Sequence, residues 1–148
     1  MGYQSDLSST TQIDGLAQSF IIGKSFLGNG SCALTLGGNI FLGHRLESDL
    51  NLIDCNKKGA TDFAFHVNNP EKCDVVSFNK NGETIGLEEQ PNNPRSQYAI
   101  TELFFYDNQI VDFAYDLKPS KRGELEITDI NKQYLDLGQL QVNIMGRG

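Results

Sequence analysis

Residues Ala33 to Ile40, ALTLGGNI, form a short hydrophobic run that stops on two glycines and an asparagine. A buried strand with such an end usually delivers its next backbone atoms, or its next side chain, into a ligand site. Gly37-Gly38-Asn39 leaves two interpretations open. The glycines either bind a phosphate through their backbone N–H groups, or they mark a site that lacks the side chain needed for binding or catalysis.

Metal and thiol chemistry have little support in the sequence. Cys32, Cys55 and Cys73 are widely spaced and include no Cys-x-x-Cys pair. His44 and His66 have no second histidine or cysteine at the spacing that zinc ligands require. We therefore predict three reduced thiols and no zinc site.

The composition predicts a single soluble domain. The chain has 148 residues, of which 39% are hydrophobic and 21% charged, and its formal net charge is −7. Such a charge argues against nucleic-acid binding, which needs a basic surface, although a small pocket can still hold a nucleotide. No apolar stretch reaches membrane-spanning length, and the N-terminus has no signal-peptide pattern. We therefore expect a cytoplasmic protein with no nucleic-acid or membrane partner.

Hydrophobic periodicity predicts alternating helices and strands after a polar lead-in over residues 1–13. A first helix would have Asp14 as its N-cap, and the run SCALTLGG (31–38) reads as a strand buried on both faces. Asn81-Gly82, between alternating apolar residues, predicts a hairpin with a tight primed turn. A late helix would have Thr128 as its N-cap and Gly138 as its terminator. Further helices are predicted at 43–59 and 108–117, and further strands at 60–67, 96–107 and 139–146.

The order of these elements predicts an α/β fold with a mostly parallel sheet and one inserted antiparallel hairpin. From the residues alone, the functional prediction goes no further than a soluble domain that binds a ligand.

Several stretches resemble bacterial glucose-1-phosphate thymidylyltransferases. They are DGLAQSFIIGKSFLGN (14–29), the strand that ends in Gly37-Gly38-Asn39, the segment 63–91 and the segment 96–148, within which RGELEITD (122–129) is the most specific piece. The resemblance implies a Rossmann-like nucleotidyltransferase sheet in one domain over residues 14–148. It also implies a homo-oligomer and a magnesium-assisted reaction, in which dTTP and glucose 1-phosphate give dTDP-glucose and pyrophosphate.

The resemblance assigns binding roles to three residues and a catalytic role to none. Gly15 matches a glycine whose backbone approaches the thymine base, where a Cβ atom would obstruct the approach. Glu89 matches a carboxylate that accepts hydrogen bonds from glucose hydroxyls, and Arg122 matches a basic residue near the rim of the active site, so both are predicted to bind the sugar. Each also has a purely structural interpretation: a turn at a helix entry for Gly15, a strand-end charge for Glu89 and a loop charge for Arg122.

The chain departs from the family pattern where the family binds phosphate and metal. Gly38 replaces an aspartate that helps to hold magnesium, so we predict no metal site and no cofactor. The Gly-rich triphosphate loop that precedes the matched region in the family has no counterpart, and neither does the later strand that carries a second metal-binding aspartate. The domain is therefore expected to hold only part of the family's sheet.

Further departures fall in the base and sugar sites. Gln90 stands where the family has a lysine that grips the sugar phosphate, and Thr10 stands where it has a glutamine that reads the base. Cys73-Asp74 replaces Tyr-Gly, and Glu102 replaces a glycine; both changes add negative charge.

Three interpretations follow. We favour a truncated, catalytically impaired relative that keeps the fold and retains weak binding of a nucleotide sugar. The alternatives are a self-associating or partner-binding module and a fragment of an active glucose-1-phosphate thymidylyltransferase.

Overall fold

The computed structural model describes residues 14–36, 50–51, 53 and 58–146. These residues form one mixed sheet with helices packed against it, which confirms the α/β class. The strands are β1 (Cys32–Thr35), β2 (Ala60–His66), β3 (Val75–Phe78), β4 (Thr84–Glu88), β5 (Tyr98–Tyr106) and β6 (Leu140–Ile144). The helices are α1 (Gln18–Ile22), α2 (Lys24–Leu27), α3 (Ile110–Asp116) and α4 (Ile127–Asp136), with a 3-10 turn at Pro70–Lys72.

The expectation of a mostly parallel sheet is wrong. The strand order is β4-β3-β5-β2-β6, and β1 also pairs with β5. Within the described part of the chain, only β2 and β6 form a parallel pair, whereas the other pairs are antiparallel. The difference arises at β5, which pairs with β2 on one edge and shares its other edge between β3, near Ala99, and β1, near Tyr106. Such long-range pairing leaves no signature in the periodicity of a single strand.

The predicted hairpin is confirmed as β3–β4, but its turn is longer than predicted. Phe78 pairs with Thr84, so residues 79–83 form the connection. The Gly82 N–H donates to the Asn79 carbonyl at 3.0 Å, and Gly82 has a φ of 81°. A type I turn followed by a left-handed glycine produces a bulge that matches the twist of the two strands. The Asn79 side chain supports the turn by accepting hydrogen bonds from the N–H groups of Asn81 and Glu83.

Two predicted helix caps are wrong, and one terminator is confirmed. Asp14 exchanges hydrogen bonds with Gln18, and α1 begins after Ala17 without a side-chain cap. Thr128 lies inside α4 and donates its hydroxyl to Asp74 at 2.9 Å, a partner distant in sequence. Gly138, with a φ of 67°, ends α4 in the left-handed conformation that favours glycine.

Strand β1 is not buried on both faces. Its residues alternate between half-buried and exposed, because Cys32 and Leu34 pack against the hydrophobic core and the other two residues face away from it. In the described part of the chain β1 pairs only with β5. Cys32 in β1 is a free thiol, as is Cys73. Burial, with a smaller contribution from Asp107, raises the pKa of Cys32 to about 11 and so makes this thiol a poor nucleophile.

The main core lies between the sheet and helices α1, α3 and α4, around the ring of Tyr106. This ring stacks on Tyr134 at 5.7 Å and on Phe104 at 6.1 Å, and it meets Phe20 edge-on at 5.5 Å. Aromatic pairs of this geometry contribute about 1 kcal/mol each beyond the area they bury.

The carboxylate of Asp107, directly after β5, joins four parts of the fold. Oδ2 accepts hydrogen bonds from the Gly59 N–H at 2.8 Å and from the Gln109 side chain at 2.6 Å. Oδ1 accepts from the Gln109 N–H at 3.1 Å and from the Tyr134 hydroxyl at 2.7 Å. The start of β2, the end of β5, the turn before α3 and the middle of α4 therefore share one anchor.

A second buried carboxylate, Asp62 in β2, was not foreseen from the sequence. Its Oδ2 accepts a hydrogen bond from Asn131 at 2.8 Å, and Asn131 in turn accepts from the Tyr106 hydroxyl at 2.7 Å. Its Oδ1 is buried without a hydrogen-bond partner. Burial raises the pKa of Asp62 well above its ordinary value, so the folded protein favours the neutral acid.

Several predictions fall on residues outside the described ranges. They concern the lead-in 1–13 with Thr10, the end of the first strand at Gly37-Gly38-Asn39, the residues His44 and Cys55, and most of the helix at 43–59, of which only Leu50 and Asn51 are described and helical. None of the helices that the structure describes is long and apolar enough to cross a bilayer.

Replacing Asp62 by Asn should stabilise the protein progressively as the pH rises. The folded-state pKa exceeds the unfolded value, so the native state binds more protons above about pH 4, and the wild type loses stability there relative to the variant. The difference in unfolding free energy should grow by up to about 1.4 kcal/mol per pH unit until the folded-state pKa is reached.

Urea unfolding of both proteins between pH 4 and pH 8 measures this difference. Asp112→Asn, at an exposed position in α3, controls for the loss of one negative charge. A constant difference between wild type and Asp62→Asn across the pH range would contradict the neutral, buried state of Asp62.

Candidate functional site

The loop between α3 and α4 presents Arg122 on a well-defined turn. The Gly123 N–H donates to the Ser120 carbonyl at 2.9 Å, and the Ser120 N–H donates to the Glu124 carbonyl at 2.8 Å. The Ser120 hydroxyl accepts a hydrogen bond from the Arg122 N–H at 3.2 Å and donates one to Glu126 at 2.9 Å. The main chain at Arg122 is therefore held from both sides.

The guanidinium of Arg122 reaches Glu89, which follows the last residue of β4. Its Nη1 lies 2.6 Å from Glu89 Oε1, close enough for a short, charge-assisted hydrogen bond. Two further carboxylates flank the guanidinium, with Glu124 at 3.5 Å from Nη2 and Glu126 at 4.0 Å from Nε. The structure thus brings together two residues that lie 33 positions apart in the sequence.

The surroundings of Glu89 are acidic. Burial raises the pKa of Glu89, and the nearby charges of Glu126 and Asp74 raise it further. Asp129 adds a smaller effect in the same direction, and Arg122 is the one contributor that lowers the pKa. A carboxylate in this setting accepts hydrogen bonds from neutral hydroxyl groups, while the neighbouring carboxylates disfavour additional negative charge.

Gly15 packs against the same loop at Glu124 and Leu125, which lie two and three residues after Arg122. The Leu125 N–H donates to the Asp14 carbonyl, and the Ala17 N–H donates to the Leu125 carbonyl at 3.2 Å. A Cβ atom on Gly15 would lie 2.6 Å from Leu125 N and 2.7 Å from Leu125 O, and Gly15 has a φ of 104°. This packing supplies a structural reason for the glycine, and the predicted contact with a nucleotide base stays a prediction.

Two departures from the family pattern also lie at this site. Gln90, directly after Glu89, has a φ of 34° and is the one residue other than glycine with a positive φ in the described chain. A left-handed backbone at such a residue costs about 1 kcal/mol and is most often found where function or packing requires it. Asp74, directly before β3, accepts a hydrogen bond from the Thr128 hydroxyl, and its charge helps to raise the pKa of Glu89.

The magnesium site implied by the resemblance finds no matching donor at the position concerned. The residue there is Gly38, which offers no side-chain ligand and lies outside the described ranges. Among residues 14–36, 50–51, 53 and 58–146, no group of three or more His, Cys, Asp or Glu side chains could hold a metal ion.

A depression of about 520 Å³ lies at the opposite end of β2 and β5, around Ala60 and Tyr106. Of the residues that the structure describes, Asp107 is the one carboxylate in its lining, and both oxygens of Asp107 already accept hydrogen bonds from the protein. Within the described residues this depression therefore provides no free carboxylate, and the Glu89–Arg122 region is the better candidate.

Sequence reasoning missed the support around Arg122. Ser120, Glu124 and Glu126 were not singled out, although the alternation of charges in RGELE placed one basic and two acidic residues within a single turn. That alternation is the signal that could have predicted a local ion-pair network.

Replacing Gly15 by Ala should destabilise the fold much more than the same change at Gly123. Both glycines have positive φ values, 104° and 80°, but a Cβ atom at Gly123 meets nothing within 4 Å. Gly123→Ala should cost about 1 kcal/mol, and Gly15→Ala about 2 kcal/mol more because the Leu125 backbone must move. Urea unfolding measures both changes, and equal costs would show that the contact between Gly15 and Leu125 is not tight.

Comparison with known proteins shows which protein family this chain belongs to. A family profile described as nucleotidyl transferase matches residues 2–148. The chain is 52% identical to the glucose-1-phosphate thymidylyltransferase of Neisseria meningitidis serogroup A over 91% of its own length and 47% of that protein. It is 43% identical to the Mycobacterium tuberculosis enzyme of the same name over its full length and 51% of that protein. The chain thus spans about half the length of the curated relatives it matches.

Solved structures agree in fold. A protein from Bacillus anthracis, described as a glucose-1-phosphate thymidylyltransferase in complex with a sucrose, superposes with a TM-score of 0.78 at 36% identity over 93% of this chain and 55% of that one. An apo UDP-glucose pyrophosphorylase superposes with a TM-score of 0.79 over 90% of this chain and 53% of that one, but its 19% identity supports a likeness of fold alone.

Proposed function

Because this chain belongs to the nucleotidyl transferase family, we propose that it binds the sugar end of a sugar phosphate or nucleotide sugar through Glu89 and Arg122. The observation that carries this proposal is the 2.6 Å contact between the Arg122 guanidinium and the Glu89 carboxylate, on a loop that also packs against Gly15. The reaction expected for the whole protein is the transfer of a thymidylyl group from dTTP to glucose 1-phosphate. The sugar-phosphate oxygen attacks the α-phosphorus, a new P–O bond forms, and pyrophosphate leaves.

The two side chains suit different parts of such a ligand. The Glu89 carboxylate accepts hydrogen bonds from sugar hydroxyls, and the planar fork of Arg122 matches two oxygens of a phosphate. Neither side chain has to act as a nucleophile. Positioning and charge neutralisation supply most of the catalysis in a transfer of this kind.

We further propose that transfer by this chain is impaired although binding persists. The family's phosphate-gripping lysine is replaced by Gln90, which removes a positive charge beside the sugar phosphate. The carboxylate of Asp74 adds negative charge close to Glu89. Both changes disfavour a phosphate dianion, whereas neither removes Glu89 or Arg122. We also propose that residues 14–148 form one domain and that the protein is a homo-oligomer, as the resemblance implies.

The experiment that tests this proposal is a titration of the protein with glucose 1-phosphate, dTDP-glucose and dTTP, the last with and without magnesium. Calorimetry and thermal shift should show weak binding of dTDP-glucose, because any ligand that binds the native state stabilises it. Magnesium should add nothing to the shift with dTTP. Absence of binding by both sugar ligands would refute the proposal, and a strong magnesium-dependent shift would refute the impairment.

Replacing Gln90 by Lys should strengthen binding of glucose 1-phosphate about tenfold, because it restores a charge-assisted hydrogen bond to the phosphate. The variant keeps a non-glycine residue at the same positive φ, so its backbone cost should not change. Gln141→Lys, at an exposed position in β6, is the matched control for the added charge. An equal gain in both variants would show that overall charge, rather than the position of Gln90, sets the affinity.

A further inference from the structure

The loop of the β3–β4 hairpin contains an asparagine that is followed by a glycine, Asn81-Gly82. A glycine carries no side chain that shields its main-chain nitrogen, so this nitrogen can reach the side-chain amide carbon of the preceding asparagine. The same dipeptide occurs at one other position in the chain, Asn29-Gly30, in the exposed connection between α2 and β1. The reactivity of the two positions can therefore be compared within one molecule.

The side chains of the two asparagines in the hairpin loop have different surroundings. Asn81 is exposed, and within the described part of the chain its side chain makes no hydrogen bond. Asn79 Oδ1 accepts hydrogen bonds from the N–H groups of Asn81 at 2.9 Å and Glu83 at 3.0 Å, and Asn79 Nδ2 donates to Glu83 Oε2 at 2.6 Å. The amide of Asn79 therefore supports the loop, whereas the amide of Asn81 is open to reaction.

The closed turn restrains the nitrogen of Gly82. Its N–H donates to the Asn79 carbonyl at 3.0 Å, so the nitrogen can attack Asn81 only after this hydrogen bond opens. A Cβ atom at Gly82 would meet nothing within 4 Å, which leaves the main chain room to rotate. Exposed loops open at the lowest cost in free energy. The hydrogen bonds of the Asn79 side chain oppose this opening.

We propose that Asn81 is a site of spontaneous deamidation and isomerisation, and that the Asn79 side chain controls its rate. The Gly82 nitrogen forms a bond to Cγ of Asn81, the bond from Cγ to Nδ2 breaks, and ammonia leaves with the proton of the Gly82 N–H. Water then opens the cyclic imide. Attack of water at Cγ gives aspartate, and attack at the main-chain carbonyl carbon gives isoaspartate. Neither step needs an oxidant or a reductant.

The two products act differently on the hairpin. Aspartate adds a negative charge and keeps the length of the main chain. Isoaspartate directs the main chain through Cβ and Cγ, which lengthens the loop by one carbon atom. The hydrogen bond from Gly82 to Asn79 and the pairing of Phe78 with Thr84 then no longer fit the same loop. The isoaspartyl form should therefore have a weaker β3–β4 hairpin.

The test follows deamidation of the full chain at pH 8 by mass spectrometry of chymotryptic peptides, with chromatography to separate aspartate from isoaspartate. Both products should form at Asn81 in the wild type. Asn79→Ala should accelerate the conversion at Asn81 about tenfold, because the loss of hydrogen bonds raises the population of the open turn. The rate at Asn29, which lies outside the hairpin, should not change and serves as an internal control.

Two further variants separate the steps. Glu83→Ala removes the acceptor of Asn79 Nδ2 but keeps the main-chain N–H at position 83, so its rate at Asn81 should lie between those of wild type and Asn79→Ala. Asn81→Asp has the charge of one product without the longer main chain. Its urea midpoint should match that of the wild type, whereas the purified isoaspartyl protein should unfold at a lower urea concentration.

The possible results decide each part of the proposal. If Asn81 stays intact in the folded wild type but converts in urea, the closed turn prevents the reaction and the site is overturned. An unchanged rate at Asn81 in Asn79→Ala, or equal acceleration at Asn29, overturns the control by Asn79. If Asn79→Ala does not fold, Glu83→Ala decides the same question by the same two rates. Equal urea midpoints for the isoaspartyl protein and Asn81→Asp overturn the effect on the hairpin.

Discussion

The carboxylate of Asp107 is the interaction on which the rest of the fold depends. Its oxygens accept hydrogen bonds from Gly59, Gln109 and the Tyr134 hydroxyl, which places the start of β2, the turn before α3 and the middle of α4 around the end of β5. Buried carboxylates are costly unless their lone pairs are satisfied, and here several donors satisfy them. Because α4 is fixed by Tyr134, the loop that enters α4 is fixed as well. That loop carries Arg122, so the anchor at one end of the sheet supports the helix that follows the candidate site at the other.

The candidate site combines a hydrogen-bonded backbone with an exposed charge. Gly15 allows the N-terminal segment to lie directly on Leu125, and Ser120 holds the turn on the other side of Arg122. The guanidinium itself is more than half exposed and has three carboxylates within 4.0 Å. The turn therefore holds the main chain of Arg122 in place, while the guanidinium is open to solvent.

Local signals predicted local structure, and long-range contacts account for the errors. Asn81-Gly82 predicted the hairpin because its geometry is set by adjacent residues, and Gly138 predicted the end of α4 for the same reason. Thr128 was wrongly assigned as a cap because its hydroxyl bonds to Asp74, 54 positions away. The mostly parallel sheet was wrong because the partners of β5 come from three separate segments. Glu89 and Arg122 were named only through the resemblance, since nothing in the periodicity brings a strand end to a loop 33 positions later.

The bulged turn of the β3–β4 hairpin has a consequence for evolution. Neighbouring residues at a strand end point to opposite sides, and here Glu88 faces Arg95 while Glu89 faces Arg122. Gain or loss of one residue within 79–83 would shift the register by one position and place Glu88 or Gln90 where Glu89 now meets Arg122, although every residue of the site would still be present in the sequence. Insertions and deletions in this turn should therefore be more damaging than most substitutions in it. The length of the loop 79–83 therefore affects the geometry of the candidate site, and a comparison of the site residues alone would not detect this effect.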